Sequence, residues 1–215
     1  MILNLTGENY LGKGTNKVCY YHPEDKNKLI KFSLNNADET DMEYELKFRR
    51  CCKDKIANSS LLTKYYGTVE TNKGIGHVFE CVRDFDGKLS ETFESLMLRE
   101  KNSTKVREIL TTFRKKLLEE SMITYTIFPD NFLIQRISET EYRIRIIDGI
   151  GMHVMFPLPY YSKRLARHRQ KRMFKKFMVL LRNKYGLQVE IEEPKKRFFV
   201  AEKFLSLRRA RLFKG

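Results

Sequence analysis

Cysteine is scarce in this chain and badly placed for metal. There are four, Cys19, Cys51, Cys52 and Cys81, none at the paired spacing of a zinc site, and the adjacent Cys51 and Cys52 do not make a ligand pair. Reduced thiols in a cytoplasmic protein are therefore the expectation, with no disulfide framework. No early stretch has the basic-then-apolar pattern of a secretory signal, and no apolar run approaches membrane-spanning length, so we expect a soluble chain. Acidic residues are missing where basic ones crowd. Residues 160–184 contain no Asp or Glu, and residues 151–215 hold 18 Lys and Arg against 4 Asp and Glu, whereas the first 150 are nearly balanced at 24 against 23. The net charge of +15 belongs to the C-terminal third.

What is present centres on two short stretches, residues 128–133 (Phe-Pro-Asp-Asn-Phe-Leu) and 146–149 (Ile-Ile-Asp-Gly), joined by a predicted β-hairpin. Residues 123–127 are apolar and β-branched enough for a strand, and Pro129 ends any regular element there. The backbone must turn at Asn131. Residues 132–134 resume extended structure, residues 138–141 supply a turn, and residues 142–147 alternate large apolar side chains with Arg143 and Arg145. Such a hairpin brings the amide of Asn131 and the carboxylate of Asp148 together. Hard divalent cations such as Mg²⁺ take oxygen ligands of this kind, with phosphate oxygens and water completing the octahedron. An Asp-Gly after a strand is also, far more often, a plain turn.

Upstream, Gly12 and Gly14 precede a strand running to Tyr21, residues 22–27 form a polar turn, and residues 28–32 return as a strand in which Lys31 has apolar neighbours and faces inward. A glycine-bearing hairpin lays its backbone over phosphates, and a lysine on the returning strand reaches their oxygens as a point charge. Two glycines and an alternating lysine are also common in ordinary hairpins. Residues 37–53 read as a helix, with Asp38 near its start, Met42, Leu46, Arg49 and Cys52 at helical spacing, and Glu43 and Glu45 between them. A buried lysine needs a carboxylate partner, and this helix supplies one. Residues 61–69 and 77–82 read as strands, residues 83–88 as a turn-rich hinge, and residues 91–100 and 104–120 as helices divided at Asn102 and Ser103.

Residues 160–184 read as a basic amphipathic helix. Leu165, Phe174, Phe177, Met178 and Leu181 pack inward, while the cations either stay solvated or meet an acidic partner: an anionic membrane surface, lipopolysaccharide or nucleic acid. His153 and His168 have no companions at metal-ligand spacing and read as structural or surface residues. Residues 198–213 suit one more helix.

A glycine loop, a strand lysine, a helix glutamate, a hinge, helices, then Pro-x-Asn and a strand-ending Asp follow the order used by protein-kinase-like phosphotransferases. More narrowly, the chain resembles the YrbL family, named for the bacterial PhoP regulatory network, from roughly residue 9 to residue 175. The resemblance rests on Gly12-Lys13-Gly14, on residues 19–25 (Cys-Tyr-Tyr-His-Pro-Glu-Asp), Ile30-Lys31, Glu45-Leu46-Lys47, residues 66–71 (Tyr-Gly-Thr-Val-Glu-Thr), residues 84–88 (Asp-Phe-Asp-Gly-Lys) and Pro129-Asp130-Asn131. The family name implies a gene under a magnesium-responsive bacterial system, which concerns regulation and not chemistry. The likeness to kinases implies an α+β, two-lobed fold: a small antiparallel-sheet N-lobe at residues 1–83, a reduced helical C-lobe at residues 84–215, and ATP with Mg²⁺ in the cleft. By the same resemblance Lys31 contacts phosphates, Glu45 is its helix partner, Asn131 is the catalytic-loop amide and Asp148 the metal-binding carboxylate, with Gly12 and Gly14 over the nucleotide.

Four departures matter. The third glycine of the loop is Lys17, Asp148 is followed directly by Gly149, the base position counted back from Asn131 falls on Thr126, and the lysine expected before the proline is Phe128. No Ala-Pro-Glu ends an activation segment, so a protein substrate is not implied. Three functions stay open: a kinase-fold protein binding ATP and Mg²⁺ with slow phosphotransfer, a pseudokinase interaction module, and a binder of anionic polymers or membrane surface through residues 160–184.

Overall fold

The computed structural model describes residues 2–14, 17–34, 36–153 and 157–191, leaving aside the side chains of residues 36–40. The helix expected at residues 198–213 lies outside the described residues, as does the loop at Thr15 and Asn16. The chain is α+β, with a five-stranded antiparallel sheet, a smaller three-stranded sheet and six α-helices among the described residues.

The larger sheet has the order β1-β2-β3-β5-β4, from β1 (Tyr10–Lys13), β2 (Lys17–His22), β3 (Asp25–Ser33), β4 (Tyr65–Thr71) and β5 (Gly74–Glu80). Its register sorts the side chains. Cys19 lies opposite Lys31 and Val18 opposite Phe32, so with a side-chain period of two Lys17, Cys19 and Lys31 share one face. Val18, Tyr20, Ile30 and Phe32 share the other, where Leu3 and Leu5 of the N-terminal segment complete a small apolar cluster. The lysine-bearing face is turned toward the rest of the molecule.

Helix α1 (Asn36–Cys51) and the short α2 (Lys53–Ala57) follow β3; the single helix expected over 37–53 breaks at Cys52, where the backbone leaves helical geometry. The 61–69 strand begins later, at Tyr65, because Leu61 and Leu62 are buried and bond instead to the hairpin, with Ile146 N donating to Leu61 O at 2.7 Å. Residues 83–88 are not loose. Asp84 accepts from Ser90 Oγ at 2.5 Å and from Arg136 Nε at 2.7 Å, and Asp86 accepts from Arg136 at 2.6 Å, which ties this corner to the hairpin.

The strand β6 (Glu91–Thr92) takes the first two residues of the helix expected at 91–100. Helix α3 (Phe93–Arg99) starts behind the Thr92 cap, and α4 (Thr104–Glu119) behind Ser103. The predicted hairpin forms as β7 (Phe132–Arg136) and β8 (Tyr142–Ile146), entered through a 3-10 turn at Pro129–Asn131. Residues 123–127 do not form a strand. Only Thr124 makes a bridge, to Ile150, with Tyr125 N donating to Gly149 O and Gly151 N to Ile123 O; Met122 and Ile123 are buried in the core, and the ladder is too short to continue. Helices α5 (Leu158–Tyr161) and α6 (Lys163–Tyr185) replace the one basic helix, and Gly186 ends α6 in the left-handed conformation.

The main core joins α3, α4, α6 and the hairpin and extends to Phe48 of α1. At its centre the Phe132 ring stacks between Phe93, at 4.8 Å, and Phe113, at 4.4 Å, and meets Phe177 edge-on at 6.0 Å. Truncating it removes three aromatic contacts at once. Phe132→Ala should lower unfolding stability by about 3–5 kcal/mol in urea titrations; a loss below about 1 kcal/mol would mean that the ring stack contributes little.

Candidate functional site

The hairpin sets the site. Phe132 pairs with Ile146, and Ile147 N donates to Asn131 O at 2.9 Å, so the ladder carries Asn131 and Asp148 to the same end of the hairpin. Both line a cavity of about 380 Å³ between the lysine-bearing face of the large sheet and the hairpin. Lys17, Lys31 and Gly14 line it from the sheet side; Leu29, Val82 and Leu133 give it apolar wall.

Two lysines close the gap between sheet and hairpin. Lys17 Nζ donates to both carboxylate oxygens of Asp148, each at 2.7 Å, and Lys31 Nζ donates to Ile147 O at 2.7 Å while lying 4.6 Å from the centre of the Phe79 ring. Burial works to raise the Asp148 carboxyl, but the charges of Lys17 and Lys31 outweigh it and hold the group below the usual carboxylate range. Burial likewise works against the Lys17 ammonium, and Asp148 outweighs it, leaving Lys17 above its ordinary value. The Cys19 thiol, on the same face, is pushed up by burial and is no nucleophile at neutral pH.

Glu45 is buried, as a partner for Lys31 would be, but the two do not pair. The Glu45 carboxylate accepts from Arg49 Nε at 2.9 Å and Nη2 at 2.8 Å, one helical turn on, and Arg49 also donates to Thr63 O. Lys31 is satisfied by a backbone carbonyl instead. Gly14 N donates to Lys17 O at 2.8 Å, closing the turn at the cavity edge, while Gly12 pairs with Cys19 within β1 and β2 and is not among the lining residues. Thr126 is not among the lining residues and lies against the turn after Asp148. A Cβ placed at Gly149, whose φ is +81°, would stand 2.9 Å from Thr126 O and 3.3 Å from Asn131 Nδ2, so the turn after Asp148 admits only glycine without rearrangement.

Lys17 is the residue that sequence reasoning passed over, although its parity with Cys19 and Lys31 was there to be counted. Also unforeseen were Arg145, which donates to Glu80 at 2.5 Å and to Leu62 O, and His153, whose Nε2 lies 2.9 Å from Asp41 while its ring stacks on Tyr44 and tilts against Tyr125. Among the described residues no three His, Cys, Asp or Glu side chains gather as a metal site. A divalent cation here would rest on Asp148 and Asn131 together with oxygens of a ligand. The oxygen donors suit it, and it would take the Asp148 oxygens in exchange for the Lys17 ammonium.

The family model described as PhoP regulatory network protein YrbL matches residues 3–182. The chain belongs to the YrbL family. Two relatives, each named Uncharacterized protein YrbL, from Escherichia coli (strain K12) and Shigella flexneri, are 32% identical to it over 196 residues, covering 89% of this chain and 93% of theirs. The match of this YrbL-family chain to the family model therefore takes in the large sheet, the hairpin and most of α6.

The Lys17–Asp148 pair gives a pH test with a defined sign. A lowered carboxyl contributes stability above its unfolded value and loses it as pH falls through the lower folded value; a raised ammonium contributes below its unfolded value and loses it as pH rises through the higher folded one. The pair's contribution is thus complete between about pH 4 and pH 10. Lys17→Met should cost roughly 3 kcal/mol at pH 7, since it breaks a largely buried pair, and the difference from wild type should shrink at pH 3. Urea titrations at both pH values measure it, and a difference that does not change with pH would show the pair to be inert.

Proposed function

We propose that the cavity binds ATP with Mg²⁺ in a protein-kinase-like, two-lobed arrangement, the large sheet over the nucleotide and the hairpin beneath it. The observation that carries this is the meeting of two lysine ammonium groups, an amide and a carboxylate at one end of a cavity with an apolar wall. A volume of about 380 Å³ falls within the usual range for small-molecule sites. The apolar side chains Leu29, Val82 and Leu133 accept a base, and Lys17 and Lys31 meet phosphate oxygens as point charges. Asp148 and Asn131 would hold Mg²⁺, which would supply charge neutralisation on the phosphates. Lys17, now seated on Asp148, would then be free to contact phosphate. The family description, with its bacterial relatives, suggests a setting in the PhoP network.

Calorimetry with ATP, with and without Mg²⁺, tests this. Wild-type protein should bind ATP more tightly with Mg²⁺, and Asp148→Ala and Asn131→Ala should each abolish the difference. Lys17→Met loses a phosphate contact together with the ammonium that competes for Asp148, so it should bind ATP more weakly without Mg²⁺ and gain more from Mg²⁺ than wild type. Equal affinity with and without Mg²⁺ in all four proteins would overturn the metal role.

Turnover, where present, is slow. Counted back from Asn131 the base position falls on Thr126, whose hydroxyl would be a poor proton acceptor, yet positioning and charge neutralisation carry most of phosphoryl transfer. General-base help is worth roughly 10²–10⁴-fold. Slow phosphate release should disappear in Asp148→Ala and rise in Thr126→Asp, measured by phosphate release and phosphopeptide mass spectrometry. Release equal in wild type and Asp148→Ala would favour the second reading, a pseudokinase module, which the Lys17 ammonium seated on Asp148 also supports. The third, an anionic partner for the basic C-terminal helix, is supported by its exposed cations.

A further inference from the structure

The first turns of α6 and the neighbouring α5 border a second, half-open depression of about 480 Å³ that shares no lining residue with the Asp148 cavity. His168, Arg169, Arg172 and Lys176 line it at the spacing of one helix face, and Leu158, Leu165 and Met173 supply an apolar wall with the ring of Tyr125. Among the described residues no carboxylate lines it. The Nε of Arg169 is shut off from solvent and has no hydrogen-bond partner among the described residues. Burial and the charge of Arg172 push the Arg169 guanidinium below its ordinary value, so two like charges are held close with nothing in the lining to neutralise them.

We infer that this depression is a binding site for an amphiphilic phosphate: a compact anionic head on Arg169, Arg172 and Lys176, joined to an apolar body lying along Leu158, Leu165 and Met173. An anion seated in the depression would give the Arg169 and Arg172 guanidinium groups, both of which line it, the acceptors that the described lining lacks. Guanidinium groups present paired donors matched to phosphate oxygens, where a lysine offers only a point charge. The apolar wall separates this ligand from free phosphate and from a polyanion lying across the helix. The site stands apart from the proposed nucleotide cavity and does not depend on it.

Calorimetry on the full chain with hexyl phosphate, inorganic phosphate and a short single-stranded oligonucleotide tests the inference. Hexyl phosphate should bind at least tenfold more tightly than inorganic phosphate, and Arg169→Gln and Arg172→Gln should each weaken it tenfold or more. Arg172 is exposed, so its variant remains informative if Arg169→Gln folds poorly. Lys163→Gln and Lys171→Gln, which remove the same charge outside the depression, should change binding less than twofold. Vesicles of phosphatidylcholine with and without phosphatidic acid identify the source of the head: binding to the anionic vesicles with the same dependence on Arg169 and Arg172 assigns a lipid, and none assigns a soluble phosphate. Equal weakening by all four variants, equal affinity for hexyl and inorganic phosphate, or binding of the oligonucleotide alone would overturn the inference.

Discussion

The arrangement depends on charged contacts across the gap between the large sheet and the hairpin. Each of these two units has its own apolar packing, the sheet with Leu3 and Leu5 and the hairpin with the phenylalanines of the main core. What holds them at a defined separation on the cavity side is Lys17 on Asp148 and Lys31 on the carbonyl of Ile147. Arg145 on Glu80 adds a tie near the far end of β5. Charged groups removed from water are costly unless paired, so the pairs fix the distance between the two layers more sharply than apolar contact would. The cavity is the space left by that separation.

Seating an ammonium on Asp148 has a chemical consequence. A carboxylate whose two oxygens already accept from one lysine is neutralised in place, and any incoming cation competes with a charge tethered only by a side chain. Glu45, which a strand lysine would otherwise engage, is occupied by Arg49 within its own helix. The cleft thus holds its cations on the hairpin and its helix carboxylate apart from them. Under the proposed function, a phosphate ligand would offer both lysines new acceptors.

Helix α6 shows how one element serves two demands. Ala166, Gln170, Phe174, Phe177 and Leu181 recur every three or four residues and are buried against the main core. The cations fall on the remaining faces, and those nearest α5 border the second depression while Arg167 is spent on the carbonyl of Leu118. The cations bordering the second depression have no carboxylate in its described lining, which raises the energy of that surface, and an anion there would lower it.

Much of this was open to inspection in the chain itself. The hairpin of residues 132–146, the antiparallel strands before it, the helical stripes and the basic C-terminal segment follow from periodicities of 2 and 3.6 and from turn residues, which are local properties. So does the convergence of Asn131 and Asp148, because a hairpin ladder determines which residues meet at its end. Tertiary structure alone decided who pairs with whom across more than a hundred residues. Lys17 on Asp148, Lys31 on a carbonyl rather than on Glu45, and the fragment 123–127 as a single bridge rather than a strand all depend on distances between separately formed layers. A local pattern determines which face a side chain occupies; what that face meets is decided only when the layers pack, because burying a charge forces it to take whichever partner lies within about 3 Å.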